Sequence, residues 1–150
     1  MTQPDAPFAI ARPLGGQLDA LLTYWQALRR GAAEIPFWDD VDLSQAQKIG
    51  GEVFLLDVFA QPERFRFSIL QQGVSRAEQE AILGRFIDEV NLPHPFQLLR
   101  AQCSATVEEQ RPTVYRHADP ATVADNYERL LLPAWGEGQV RMLLGAVARG

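Results

Sequence analysis

The stretch Tyr127-Glu-Arg-Leu-Leu-Leu-Pro-Ala-Trp-Gly-Glu-Gly-Gln-Val-Arg-Met-Leu-Leu144 decides the fold. Both of its halves are rich in branched apolar residues, and Trp135-Gly-Glu-Gly138 between them is a glycine-bracketed turn. In the second half Val140, Met142 and Leu144 alternate with Gln139 and Arg141, the period-two pattern of a strand. A strand pair is expected here. Working back, Thr113-Val-Tyr-Arg-His117 reads as a further strand, joined to residues 127–132 through the turn-prone Ala118-Asp119-Pro120.

A second pair lies upstream. Val53-Phe-Leu-Leu-Asp-Val-Phe59 is short and rich in β-formers, and Gln61-Pro62-Glu63 marks a turn. Phe65-Arg-Phe-Ser-Ile69 then puts Phe65, Phe67 and Ile69 on one face and Arg66 and Ser68 on the other.

The sequence between the two groups is helical. Ser75-Arg-Ala-Glu78 matches a capping box that opens a short helix to Leu83, stopped near Gly84 and followed by another over 86–90. Pro93 and Pro95 break the chain. Phe96, Leu99, Cys103 and Val107 then recur at helical spacing up to Gln110. Near the N-terminus, Leu18, Leu21, Leu22, Trp25 and Leu28 form the stripe of an amphipathic helix over 16–30. Arg29 and Arg30 suit the negative end of its dipole, and Gly31 suits a left-handed cap. In the connector that follows, Asp42 caps a short helix over 43–48 that ends at Gly50-Gly51. Residues 1–15, with Pro4, Pro7 and Pro13 and no periodicity, read as a flexible arm before a single domain of residues 16–150.

Composition narrows the function classes. A chain of 150 residues makes one domain; at that size about 68–70% of the unfolded surface is buried, so the core needs no disulfide or metal. Nineteen acids face 13 Arg and one Lys, Lys48, for a net charge of -5, and no basic block occurs. That excludes the usual electrostatic footprint of a nucleic-acid partner. The single Cys103 forms no internal disulfide and no thiolate cluster. The first residues lack a signal-peptide pattern, and Asp57 and Pro133 interrupt the longest apolar runs far short of the roughly 18 residues that span a bilayer. A cytoplasmic protein without a membrane partner is expected. No phosphate-cradle or nucleophile-elbow motif is present in the sequence.

Helix, two strands, short helices and three strands describe an α+β domain whose antiparallel sheet is covered on one face. In that order stand Leu18-Asp-Ala-Leu-Leu-Thr-Tyr-Trp25 with Leu28-Arg29, Ile35-Pro36, Val53-Phe-Leu-Leu-Asp-Val58 and Phe65-Arg-Phe67. Leu83-Gly-Arg-Phe-Ile-Asp88, Tyr127-Glu-Arg-Leu-Leu-Leu-Pro133, Gly138 and Met142-Leu-Leu144 continue the series. Over residues 17–147 these stretches make the chain resemble the small bacterial PAS-like family counted as the fifth PAS subfamily. It departs from that pattern at Ser68, Gln71, Gln72 and Gly73, where relatives carry a basic residue and a Gly-Thr pair, and at Trp38, which replaces a basic residue.

The resemblance implies a five-stranded antiparallel sheet in the order 2-1-5-4-3, with short helices on one face and the N-terminal amphipathic helix. It implies sensing or protein interaction in bacterial signalling, with no catalysis of its own and a separate signalling protein as output partner. A small apolar ligand would sit in a pocket lined by Phe54, Phe65, Phe67, Phe86, Phe96, Leu99, Cys103, Tyr127 and Met142. A homodimer would form through Leu18, Leu21, Leu22, Trp25 and Leu28.

No cofactor is named by the sequence. Cys103 lacks the context of a flavin-reactive thiol and reads as a small core residue. His94 lies between two prolines rather than on a pocket wall, and His117 ends a strand, so no haem or zinc motif is evident. Asp39, Asp40 and Asp42 lack the spacing of a calcium loop and read as a solvated connector and cap. Asp57 carries the enzymatic alternative, a small cone-shaped isomerase in which a strand carboxylate works as a base beside Tyr115 or Tyr127. Its simpler reading is an ion pair with Arg66 across the strand pair. A dimerising interaction module with a filled core is the other alternative.

Overall fold

The computed structural model describes residues 8–10, 13–50, 52–69, 76–92 and 95–149, and in it five strands form one antiparallel sheet. The strands are β1 (Glu52–Ala60), β2 (Glu63–Ile69), β3 (Thr113–His117), β4 (Tyr127–Gly136) and β5 (Gln139–Arg149), in the order β2-β1-β5-β4-β3. The α+β class and this strand order agree with the expectation. The quoted stretch forms the central β4–β5 hairpin, turned at Glu137 and Gly138 with φ of 54° and 82°. Two left-handed residues give a tight turn the twist its strands need, and glycine takes the second without strain.

Among the described residues four α-helices accompany the sheet: α1 (Gly16–Ala27), α2 (Leu43–Gly50), α3 (Arg76–Ile82) and α4 (Leu99–Glu109). They do not lie on one face. The α4 side chain of Gln102 reaches Arg129, which pairs with Val147 across β4 and β5. A Cβ built on Gly50 of α2 would instead touch Val53, Leu21 and Ala146. Val147 and Ala146 are neighbours on one strand and so point to opposite faces. The sheet is therefore covered by α4 on one side and by α1 and α2 on the other. The expectation of one covered face is corrected, and the cause is visible in β4 and β5, whose residues are apolar and buried on both faces.

The stripe of α1 is spent inside the domain. Leu18 and Leu21 are fully buried, Trp25 nearly so, and the indole Nε1 of Trp25 donates to the Pro133 carbonyl at 2.8 Å. Leu22 and Leu28 are half-buried. Leu18, Leu21 and Trp25 thus spend nearly all of their surface on this domain's own core, and within the expected dimer stripe Leu22 and Leu28 keep the partial exposure.

The sheet edges are closed by short segments. β3 ends where β4 continues, so Pro36 receives the Trp135 amide at 2.8 Å along the free length of β4. Phe8 accepts from Val114 on the outside of β3, which places this part of the expected arm against the domain. Beside β2, Phe67 exchanges backbone bonds with Arg85 and Gly84. Covered edges deny other chains a template for pairing.

Local signals held at several points. The Asp42 carboxylate accepts from the Ser44 and Gln45 amides at 3.0 and 3.3 Å, capping α2. Gly84, at φ 78°, follows α3. Helix α4 starts later than the spacing predicts, because Leu98 is left-handed (φ 57°) and Phe96 remains in the preceding loop. Helix α1 stops at Ala27 rather than residue 30. Ser75, which opens the expected capping box, His94 and residues 1–7, 11 and 12 of the arm lie outside the described residues.

Candidate functional site

Strand β4 is buried along nearly its whole length, and a polar side chain on its buried α4 face has no route to water. Tyr127, Arg129 and Leu131 point toward α4; Glu128, Leu130 and Leu132 point the other way. Arg129 is therefore enclosed, with 0% of its surface exposed. Its Nε donates to Gln102 Oε1 at 2.8 Å, Nη1 to the Pro95 carbonyl at 2.8 Å and Nη2 to the Gln97 carbonyl at 2.8 Å. Register places Tyr115 of β3 opposite Arg129, and the guanidinium carbon lies 4.9 Å from that ring's centroid.

A second tier of polar groups supports this one. Gln102 Nε2 donates to Thr113 Oγ1 at 3.0 Å and to the Arg129 carbonyl at 3.1 Å. Thr106, one turn further along α4, donates to the Gln102 carbonyl and shares a 2.7 Å hydrogen bond with Thr113. Gln102, Thr106 and Thr113 are as buried as Arg129. Such a network is tolerated in a core only when its members satisfy one another, as they do here.

The unusual property is charge. No ion pair among the described residues includes Arg129, and its bonded partners on α4 and the loop are neutral. Burial pushes the guanidinium pKa down while nearby Tyr127, Cys103 and Tyr115 oppose the shift. An arginine is basic enough to stay charged regardless. The same burial pushes the Tyr127 phenol up, against the pull of Arg129. Cys103 is enclosed and its thiol is pushed up by desolvation, which makes it an inert core group.

The nine expected pocket residues separate into three groups. Phe54, Phe67 and Phe96 touch directly, with ring centroids 5.2–6.0 Å apart, and Phe54 lies over Gly145, where a Cβ would enter its ring. Phe65, Leu99 and Cys103 belong to the same buried cluster, and Tyr127 lies further along β4 against Tyr115 and a stacked His117. Phe86 and Met142 do not join them. Phe86 packs outside the β2 edge on Phe59, under Arg64, and Met142 pairs with Asp57 on the face away from α4. The rings fill the space between the sheet and the loop, and the polar tier around Arg129 lies beside them.

Asp57 does not meet Tyr115 or Tyr127, which point toward α4. It bonds Arg66 Nη2 at 3.0 Å across β1 and β2, the simpler of its two readings. Asp40 is held by Arg30, which keeps its carboxyl below the usual range, and Asp42 is used as a cap. Among the described residues no cluster of His, Cys, Asp and Glu could hold a metal, and no helix is long and apolar enough to cross a membrane. An open cleft of about 210 Å³ beside Phe59 and Val107 shares Gln110 and Trp135 with a second of about 270 Å³ at Ile35 and Phe37.

Arg129 was not singled out by sequence reasoning. The available signal was its place in a strand of leucines, where alternation gives a charged side chain a buried face.

No family model, no curated protein and no solved structure matches this chain. Fold and site together define an α+β domain with an antiparallel 2-1-5-4-3 sheet, helices on both faces and a buried arginine network under α4.

Proposed function

We propose that the chain is a PAS-type regulatory domain of bacterial signalling that works in the cytoplasm without catalysis of its own. It responds to a small molecule held between the sheet and α4, and passes the response to a separate protein through a change of surface or of homodimer geometry. The observation that carries this reading is the enclosed Arg129 with only neutral hydrogen-bond partners. A core built for stability alone is better served by apolar side chains, because a buried ion loses several kcal/mol of hydration. The strand order is the one the PAS resemblance implies. Native mass spectrometry of freshly purified protein tests it: a small-molecule adduct supports the reading, and a bare chain mass at every stage of purification opposes it.

One observation favours a second reading. The Phe54–Phe67–Phe96 contacts leave a filled centre, while Phe37 and Phe59, which line the open clefts, are 36% and 38% exposed and Trp38, next to Phe37 in the chain, is 41% exposed. An interaction module that uses this apolar surface would show a bare mass and lose its partner on Trp38→Ala.

A further inference from the structure

We propose that residues 95–98 occupy the place of a ligand, and that the occupant they stand in for is a carboxylic acid carrying a short aromatic or aliphatic tail. This rests on the sensing reading above and names the chemistry of its site.

The segment holds the domain by two kinds of contact. Its backbone presents the Pro95 and Gln97 carbonyls to the two terminal nitrogens of Arg129. Its side chain Phe96 lays a ring on Phe54 and Phe67, with centroids at 5.4 and 5.2 Å. Polar head and apolar tail are thus bound side by side. Two carbonyls satisfy the guanidinium's hydrogen-bond geometry but leave its charge uncompensated. A carboxylate accepts the same pair of N–H bonds and supplies the missing charge, so it is the better partner at a guanidinium closed to bulk solvent.

The segment is also poised to leave. Leu98, at its end, has φ 57°, a conformation costly for a branched residue, and its apolar side chain is 60% exposed. Lifting the segment relieves the backbone strain and uncovers little of Leu98, which is already exposed, and the costs are the Phe96 packing and the two carbonyl bonds that the acid would replace.

Covalent geometry sets the tail length. The N, Cα and Cβ atoms of Phe96 separate the Pro95 carbonyl carbon from the phenyl ring. A phenyl-terminated acid with the same spacing is 4-phenylbutyrate, and its amide is an uncharged control of equal shape.

Thermal unfolding and calorimetry with 4-phenylbutyrate test the proposal on the intact chain, on Arg129→Lys and on Phe96→Ala. At about ten times its Kd the acid should raise the wild-type Tm by about 3–6 °C, with no shift from the amide. Phe96→Ala should bind the acid about tenfold tighter or better, because the competing ring is gone. Arg129→Lys should bind about tenfold more weakly, since an ammonium lacks the guanidinium fork. If Arg129→Lys does not fold, the Phe96→Ala comparison decides. Equal shifts from acid and amide, or a non-acidic molecule found by native mass spectrometry, overturn the carboxylate assignment and leave the sensing reading standing. Silence from the acid in both wild type and Phe96→Ala overturns the assignment, and only a bare native mass as well would remove the sensing reading.

Discussion

Arg129 and Gln102 hold each other twice: the guanidinium Nε donates to the Gln102 side-chain oxygen at 2.8 Å, and the Gln102 amide donates to the Arg129 carbonyl at 3.1 Å. One bond fixes the side chain and the other fixes the strand that carries it, so α4 is tied to β4 by a polar clasp within an apolar layer. Gln102→Leu keeps the volume but strands the Arg129 Nε donor, while the Thr113 hydroxyl keeps its bond to Thr106. The substitution should destabilise the fold by about 2–4 kcal/mol in urea denaturation, most of it the penalty of a buried donor on a charged group.

Gly145 should be the least replaceable glycine of the sheet. A Cβ there would fall inside the Phe54 ring, and that ring is held by Phe67 and Phe96. Gly145→Ala should cost about 2–3 kcal/mol through overpacking. Adding Phe54→Leu should return part of the loss, with a coupling of about 1 kcal/mol or more in the double-mutant cycle.

The burial of α1 within its own domain has a concentration signature. Leu21→Ala should lower stability by about 2–4 kcal/mol through a cavity under the helix. The fall in Tm should be the same at micromolar and at near-millimolar protein, because no partner surface is lost. A loss of Tm on Leu21→Ala that changes with protein concentration would place this stripe in a dimer interface.

The Arg64–Asp88 pair titrates in a defined direction. Hydrogen bonding to Arg64 holds the Asp88 carboxyl below the usual carboxylate range. A depressed folded pKa means that the pair's contribution is present above the unfolded value and is lost as pH falls through the folded one. Carboxyl NMR titration of Arg64→Ala should show the Asp88 carboxyl move up toward the ordinary carboxylate range, and the acid limbs of the two stability curves should converge.

Much of the fold was legible because its signals are local. Alternation at Phe65 and Phe67 gave a strand whose inward residues are indeed buried, the Asp57–Arg66 ion pair followed from cross-strand placement, and Asp42 announced the cap of α2. What failed needed knowledge of both faces of a strand. Leu130-Leu131-Leu132 and Leu143-Leu144 are apolar whichever way they point, and only tertiary packing shows that α1 and α2 cover the second face. The same ambiguity concealed Arg129, since a charged residue in a strand reads as solvent-facing until its neighbours are known. Phe96 followed helical spacing, yet the left-handed Leu98 leaves it outside α4 and turns its ring onto the sheet residues Phe54 and Phe67.

The most direct measurement is the arginine Nε–H region of a ¹⁵N–¹H NMR spectrum, recorded at neutral pH with and without 4-phenylbutyrate. The Arg129 Nε–H, sealed against Gln102, should give a cross-peak that resists exchange with water, is missing in Arg129→Lys, and shifts when the acid is added. An Arg129 signal that exchanges as fast as those of the surface arginines would contradict the enclosed clasp, and a protected signal that the acid leaves unmoved would contradict its role as a ligand anchor.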